Sequence, residues 1–479
     1  MRALILWSAA LVLPLAMASA EDAIYEIHGK AWMDMGRVMH VTDTVVNALD
    51  PETILNLNGN GIQSLGGQFT VTADLADNLE GAFGFGAYKA THAIGSGQWS
   101  FMTISMFQNF LTQSRLTWYQ GEKAAPTYSV TVGSFPYSYN PDVKNLGLYL
   151  LRGPVYPGIL MGGFGDFHAD STKATMLGLH AHHAMGNFSH DVILNSEREI
   201  PPTFDWSLAY LAHYQAGPLQ LGTGVNFYRL IPYNSGLESP AKDTLLVGPK
   251  TGTKWRHYVD ISGTDTTYLT SQGTKLMANF SMDFKTLFGG QESLSPDDLK
   301  LYGEVAVIGV KNYGKAYDDI KKRMPVMFGF NLPTFKYLDH ISMEVEYYGA
   351  TYRNDLALIG NNNAVADWTI IGHAIPSPKP PSNADYGIDS AGYFHLGTDS
   401  TYVRGTGMDK ENLTMDNLKW SLYLDKTISK HIQFIGQVAN DHYRPRPVAT
   451  GLIKSDGGTA EAFTTSKDWY FMVRMGYFF

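Results

Sequence analysis

The residues that first invite a chemical reading are histidines. His180, His182 and His183 fall in one short run, His190 follows, and Asp191 is its neighbour. On an extended chain His180 and His182 share a face, and two imidazoles at i, i+2 can bind a metal. Asp191 is the one carboxylate beside them, and it faces the other way from His190. This set is thin, so no metal is assigned, and the histidines are read as polar aromatics at one rim. Asp441 and His442 set an acid next to a base. Adjacency on a strand sends their side chains to opposite faces, so they make no acid–base pair. No nucleophile elbow, phosphate loop or helical His-Glu motif lies in a suitable setting. The chain has no cysteine, which removes thiolate metal sites, thiol nucleophiles and disulfides. No catalytic residue and no cofactor is assigned, and the chain is not read as an enzyme.

What remains is electrostatic. Charged residues recur at alternate positions within apolar runs: Lys30 and Asp34, Arg115, Glu344 and Glu346, Lys419, Arg474. Lys275, Asp283, Glu304, Asp425 and Glu26 follow the same rule. Leu276, Ala278, Phe280 and Met282 alternate with Lys275, Asn279, Ser281 and Asp283. Ile341, Met343, Val345 and Tyr347 alternate with Ser342, Glu344, Glu346 and Tyr348. A period of two means strands with one apolar and one polar face.

The first twenty residues read as a signal peptide (1–20). Arg2 supplies the positive start, Leu4 to Leu15 the apolar core, and Ala18-Ser19-Ala20 the small-residue cleavage site. The mature chain is expected to run from 21 to 479. Formal net charge is −9, and −10 without Arg2, which argues against nucleic acid as a partner. No later window offers the roughly 18 consecutive apolar residues a membrane helix needs. If this chain crosses a bilayer, it does so as a closed barrel, since lipid leaves no other way to satisfy the backbone.

Turn signals divide the chain into about 16 strands, with boundaries uncertain by about two to four residues. Among them are segments at 24–38, 63–75, 79–89, 173–184, 188–195, 267–284, 300–310, 339–352, 431–442 and 468–479. Short turns such as Ala76-Asp77-Asn78, Met185-Gly186-Asn187 and Ala216-Gly217-Pro218 alternate with long stretches, the largest at 136–170, 231–266 and 353–416.

The terminal segment, Trp469 to Phe479, is apolar at every odd position: Trp469, Phe471, Val473, Met475, Tyr477 and Phe479. Such an ending resembles the outer-membrane β-barrels, in which the terminal aromatic and the alternating residues before it serve as an assembly signal. The match lies on Phe479, Tyr477, Met475, Val473 and Phe471. With the leader, the loop asymmetry and the strand count, the mature chain resembles the porin class as architecture. The resemblance implies an all-β, transmembrane, antiparallel up-and-down β-barrel in the bacterial outer membrane, passing small hydrophilic solutes by passive diffusion. It also implies the lipid bilayer and the outer-membrane assembly machinery as partners, and a homotrimer. A structural or adhesive barrel acting through its long loops is the alternative.

In 16-stranded porins the third extracellular loop folds inward and narrows the pore, and residues 136–170 occupy the corresponding place. This segment is too apolar to lie free in water. Asp142 followed by Val143 to Leu151 predicts a short capped helix. The expected constriction residues are Tyr139, Asp142, Lys144 and Arg152. Lys30, Asp34, Arg115, Glu344, Glu346, Lys419 and Arg474 are expected to line the lumen, with both signs present. The acidic excess predicts a mild cation preference. Trp32, Tyr119, Tyr228 and Tyr348 are read as wall packing rather than a slide for sugar rings.

Overall fold

The computed structural model describes residues 24–42, 45–47, 50–55, 58–59, 61–92, 108–152, 174–196, 205–231, 257–262, 265–270, 273–287, 293–310, 319–347, 385–388, 394–397, 417–441, 463 and 465–479. Residues 1–20, read above as a signal peptide, lie outside them, as do residues 153–170 of the long connection, His442 and Tyr348.

Sixteen strands close into one antiparallel barrel. They are β1 (Ile24–His40), β2 (Gly61–Ala76), β3 (Leu79–His92), β4 (Gln108–Glu122), β5 (Ala125–Tyr137), β6 (Ala174–Met185), β7 (Phe188–Ser196) and β8 (Trp206–Ala216), followed by β9 (Leu219–Ile231), β10 (Gly273–Asp283), β11 (Lys300–Val307), β12 (Val326–Asn331), β13 (His340–Tyr347), β14 (Leu418–Ile428), β15 (Ile432–Asn440) and β16 (Trp469–Phe478). Each strand pairs with its chain neighbours, and β1 pairs with β16 to close the cylinder. At one end the chain turns tightly, as at Asp77-Asn78, Gly186-Asn187 and Gly217-Pro218; at the other lie the long connections.

The period of two becomes two surfaces. On β13 Met343 and Tyr347 are exposed, while Ser342, Glu344 and Glu346 are buried. On β16 Val473, Met475 and Tyr477 are exposed, and Met472 and Arg474 are buried. Among the described residues the outward positions of these strands are thus apolar, and their charged side chains turn inward. An apolar surface of this extent is stable against hydrocarbon and not against water. Closure leaves no free sheet edge.

Closure also uses the last residue. Phe479 exchanges backbone hydrogen bonds with Gly29, at 3.0 Å and 2.8 Å. Its ring lies over Gly29, where an added Cβ would stand 2.0 Å from ring atom Cζ.

Two sequence expectations are corrected. The segment read as one strand over 267–284 is two elements. Asp265–Thr270 pairs with His257–Ser262 in a separate hairpin, and the barrel strand begins at Gly273. Both stretches have strand-forming residues, but Asp265–Thr270 finds its ladder locally. The helix expected over Val143 to Leu151 is absent; a single 3₁₀ turn, Tyr149–Leu151, stands there.

Candidate functional site

After β5 the chain turns into the barrel. Every backbone N–H from Lys144 to Arg152 has a partner, and most of the partners are carboxylates on the inner wall. Glu344 on β13 accepts from Lys144 (2.6 Å), Asn145 (2.9 Å) and Leu146 (2.8 Å). Glu346 accepts from Gly147 at 3.5 Å. Glu304 on β11 accepts from Leu148 (3.0 Å) and Tyr149 (2.8 Å). Leu150 donates to the Tyr139 hydroxyl at 3.1 Å. Leu151 and Arg152 close the 3₁₀ turn on the carbonyls of Leu148 and Tyr149. Consecutive amides aimed at an anion form a concave nest. This arrangement replaces the helix, whose amides would have pointed at its own carbonyls.

Gly147 and Leu148 shape the nest, with φ of 82° and 57°. A Cβ on Gly147 would also stand 2.6 Å from Met327 Cε. Both left-handed residues interrupt any α-helical run. The segment's apolar side chains pack inward: Val143, Leu146 and Leu148 to Leu151 join Met277, Tyr302 and Met327 in one buried cluster.

The expected constriction residues all lie in this contact, with different exposures. Tyr139 is buried and donates to Glu304 Oε1 at 2.5 Å. Burial and the adjacent Glu304 hold its hydroxyl well above the usual tyrosine range, so it remains a donor. Burial, Glu346 and Glu304 do the same for Tyr149, which donates to Glu346 at 2.9 Å. Asp142 accepts from Ser281 (2.5 Å) and Lys300 (3.1 Å). Arg152 is buried and binds the segment's own carbonyls, Asn145 at 2.7 Å and Gly147. Its own carbonyl accepts from Lys275 at 2.5 Å. Only the Lys144 side chain of the four reaches the exposed edge, where Nζ is 3.4 Å from the Pro141 carbonyl.

The expected lumen charges divide into four groups. Glu344 and Glu346 belong to the nest. Asp34 and Arg474 face each other across the β1–β16 seam, paired at 2.6 Å and 2.9 Å. Ser64, opposite Asp34 on β2, donates to it at 2.5 Å. Lys30, on the same strand, has its Nζ 5.3 Å from the Phe478 ring centroid. Arg115 stands apart on β4, bound to Glu80 at 2.7 Å, with Lys123 on the same Glu80 at 2.9 Å. Lys419, in register with Glu346, donates to the Phe463 carbonyl at 2.6 Å. Trp32, Tyr119 and Tyr228 are buried in the wall. Tyr477 and Phe479, the expected assembly signal, are exposed on the outer face with rings stacked at 6.2 Å.

Sequence reasoning did not single out Asn145, Tyr149 or Lys300. Asn145 ties the segment to Asp441 at 2.7 Å and Ser421 at 3.1 Å. No local signal marks such contacts, because each joins residues far apart in the chain.

No protein-family model matches the chain, and no curated protein matches its sequence. Solved porin structures align with it along nearly its whole length. A triple mutant of Rhodopseudomonas blastica porin is 7% identical with a TM-score of 0.39, the match covering 95% of this chain and 100% of that one. Salmonella typhi OmpF in complex with daunomycin is 9% identical with a TM-score of 0.42, covering 95% of this chain and 97% of that one. At this identity no residue of the chain takes its role by correspondence, so the site rests on the contacts given above.

Proposed function

We propose that the chain is an outer-membrane porin that passes small hydrophilic solutes by passive diffusion. Residues 138–152 would form its narrowest section. The observation that carries this reading is a closed cylinder, apolar outside and polar inside, with a chain segment latched across its interior. Selection would come from width and charge and not from bond-making. Because Glu304, Glu344 and Glu346 are engaged by amides, the wall carboxylates present little charge to a solute, and selectivity between ions would be mild. Removal of residues 1–20, assembly through Tyr477 and Phe479, and a homotrimer belong to the same reading.

Planar-bilayer recording tests it. The full chain conducts in discrete steps, and deleting residues 140–156 raises the step size. Silent bilayers would reject the channel, and an unchanged step after deletion would reject the constriction.

A second reading, an adhesive barrel, has one observation of its own. Two long connections contribute to a single small sheet, in which His257–Ser262 pairs with Asp265–Thr270, Phe394–Gly397 pairs with Asp385–Ile388, and Val259 meets His395 in parallel. Liposome swelling in small sugars separates the two: a channel admits the sugar, and a sealed barrel does not.

A further inference from the structure

Away from the amide nest, β6 and β7 bring two imidazoles and a carboxylate together on the inner wall. The Gly186-Asn187 turn sets the register His182 opposite Asp191. His180 Nε2 lies 2.6 Å and His182 Nδ1 2.9 Å from the same oxygen, Asp191 Oδ1. The three donor atoms all fall within 4.8 Å of one another. The His180 ring is fixed by Phe135, stacked at 5.8 Å, and by Tyr137, edge-on at 5.1 Å.

Two further groups lie against this cluster. The buried Tyr137 hydroxyl is within hydrogen-bonding and electrostatic reach of Asp191. On β8, His213 Nδ1 is buried without a hydrogen-bond partner, in the field of Asp191 and His182. A buried polar group without a partner is uncommon and calls for an explanation.

We propose that His180, His182 and Asp191 form a binding site for a divalent transition-metal ion of the zinc class, open to the barrel interior. Two imidazole nitrogens and one carboxylate suit zinc, copper or nickel and not calcium or magnesium. Zinc–nitrogen bonds of about 2.0–2.1 Å place neighbouring donors roughly 3.3 Å apart around a tetrahedron. The present hydrogen-bond separations widen slightly as the ion takes the place of the shared protons. The histidine side chains keep 16% and 26% of their exposure. The ion is therefore reached from water and keeps an open position, as exchange sites do and closed structural sites do not. The site rests on the proposed reading only in needing an aqueous interior; it is independent of the solute.

The test uses the full chain folded in detergent and titrated calorimetrically with Zn²⁺. One ion binds per chain. His182→Gln and Asp191→Asn each weaken binding by roughly tenfold or more. The double change His183→Gln, His190→Gln is the control: those rings stack on each other at 6.2 Å on the neighbouring, outward-facing positions, and binding is retained. No saturable uptake, or unchanged affinity in both ligand variants, overturns the site. Should a variant not fold, Cu²⁺-loaded wild type decides. Its paramagnetic resonance spectrum carries couplings from two imidazole nitrogens, and one or none overturns the site. Bilayer recording of the same preparation keeps the two proposals apart. A conducting barrel that takes no zinc loses only the metal site, and a zinc-binding barrel that does not conduct loses only the channel.

Discussion

Two regions of the inner wall bury carboxylates, and they do so differently. At the seam, Asp34 meets Arg474 and Ser64, its register partners on adjacent strands. On β11 and β13, Glu304 and Glu344 receive the backbone of a distant segment. The seam pair reinforces strands that a ladder of backbone bonds already holds. The nest supplies the amide partners of a segment that has almost no regular structure of its own. A buried carboxylate is costly in either place unless it is fully hydrogen-bonded. Only in the nest does its removal leave the backbone without partners.

That contrast can be broken by substitution. Glu344→Ala should have the largest effect. It strands three amides and the Tyr302 hydroxyl, which donates to Glu344 at 3.0 Å, at roughly 1–3 kcal/mol for each group left buried and unmatched. Single-channel conductance and protease cleavage within 138–152 both rise; if neither changes, the nest does not hold the segment. Asp34→Ala comes next. It removes the carboxylate paired with the buried Arg474, and breaking such a pair costs roughly 3–5 kcal/mol. Denaturant unfolding from liposomes reports that loss, while conductance stays at the wild-type value. A joint change in both readouts would erase the distinction between the regions. Replacing both partners, Asp34→Leu with Arg474→Met, recovers most of the stability.

Gly147→Ala is smaller: a left-handed backbone costs a non-glycine residue roughly 1–2 kcal/mol, and the contact with Met327 adds to it. Conductance becomes noisier as the segment's hold weakens. Lys123→Ala, in an exposed turn, should cost no more than about 1 kcal/mol. The hydrogen bonds that the Lys123 ammonium donates to Asp74 and Glu80 hold it well above the usual lysine range. Its contribution is therefore fully present at neutral pH and lost only as pH rises through that elevated value. Wild type and variant should differ equally in unfolding free energy at pH 7 and pH 9. A difference that vanished by pH 9 would show that the ammonium is not held.

The cylinder was legible because it depends on short-range pattern. Met343, Val345 and Tyr347 against Ser342, Glu344 and Glu346 state two faces without reference to any other strand. The nest was not legible, since Glu344 and Asn145 are linked only by folding. Val143 to Leu151 looked helical because local preference offers its amides no other acceptor. The histidine cluster was within reach. The two-residue turn at Gly186-Asn187 already sets Asp191 opposite His182, although its chain neighbour is His190. Pairing across a hairpin is read by counting from the turn.

The latched segment leaves the wall at β5 and is fastened as far away as β13, half the strands around the circle. A hoop with a crossbar resists flattening along the barred diameter and yields along the other. A lateral load on this cylinder would therefore be taken up unequally along its two diameters, the barred one being the stiffer.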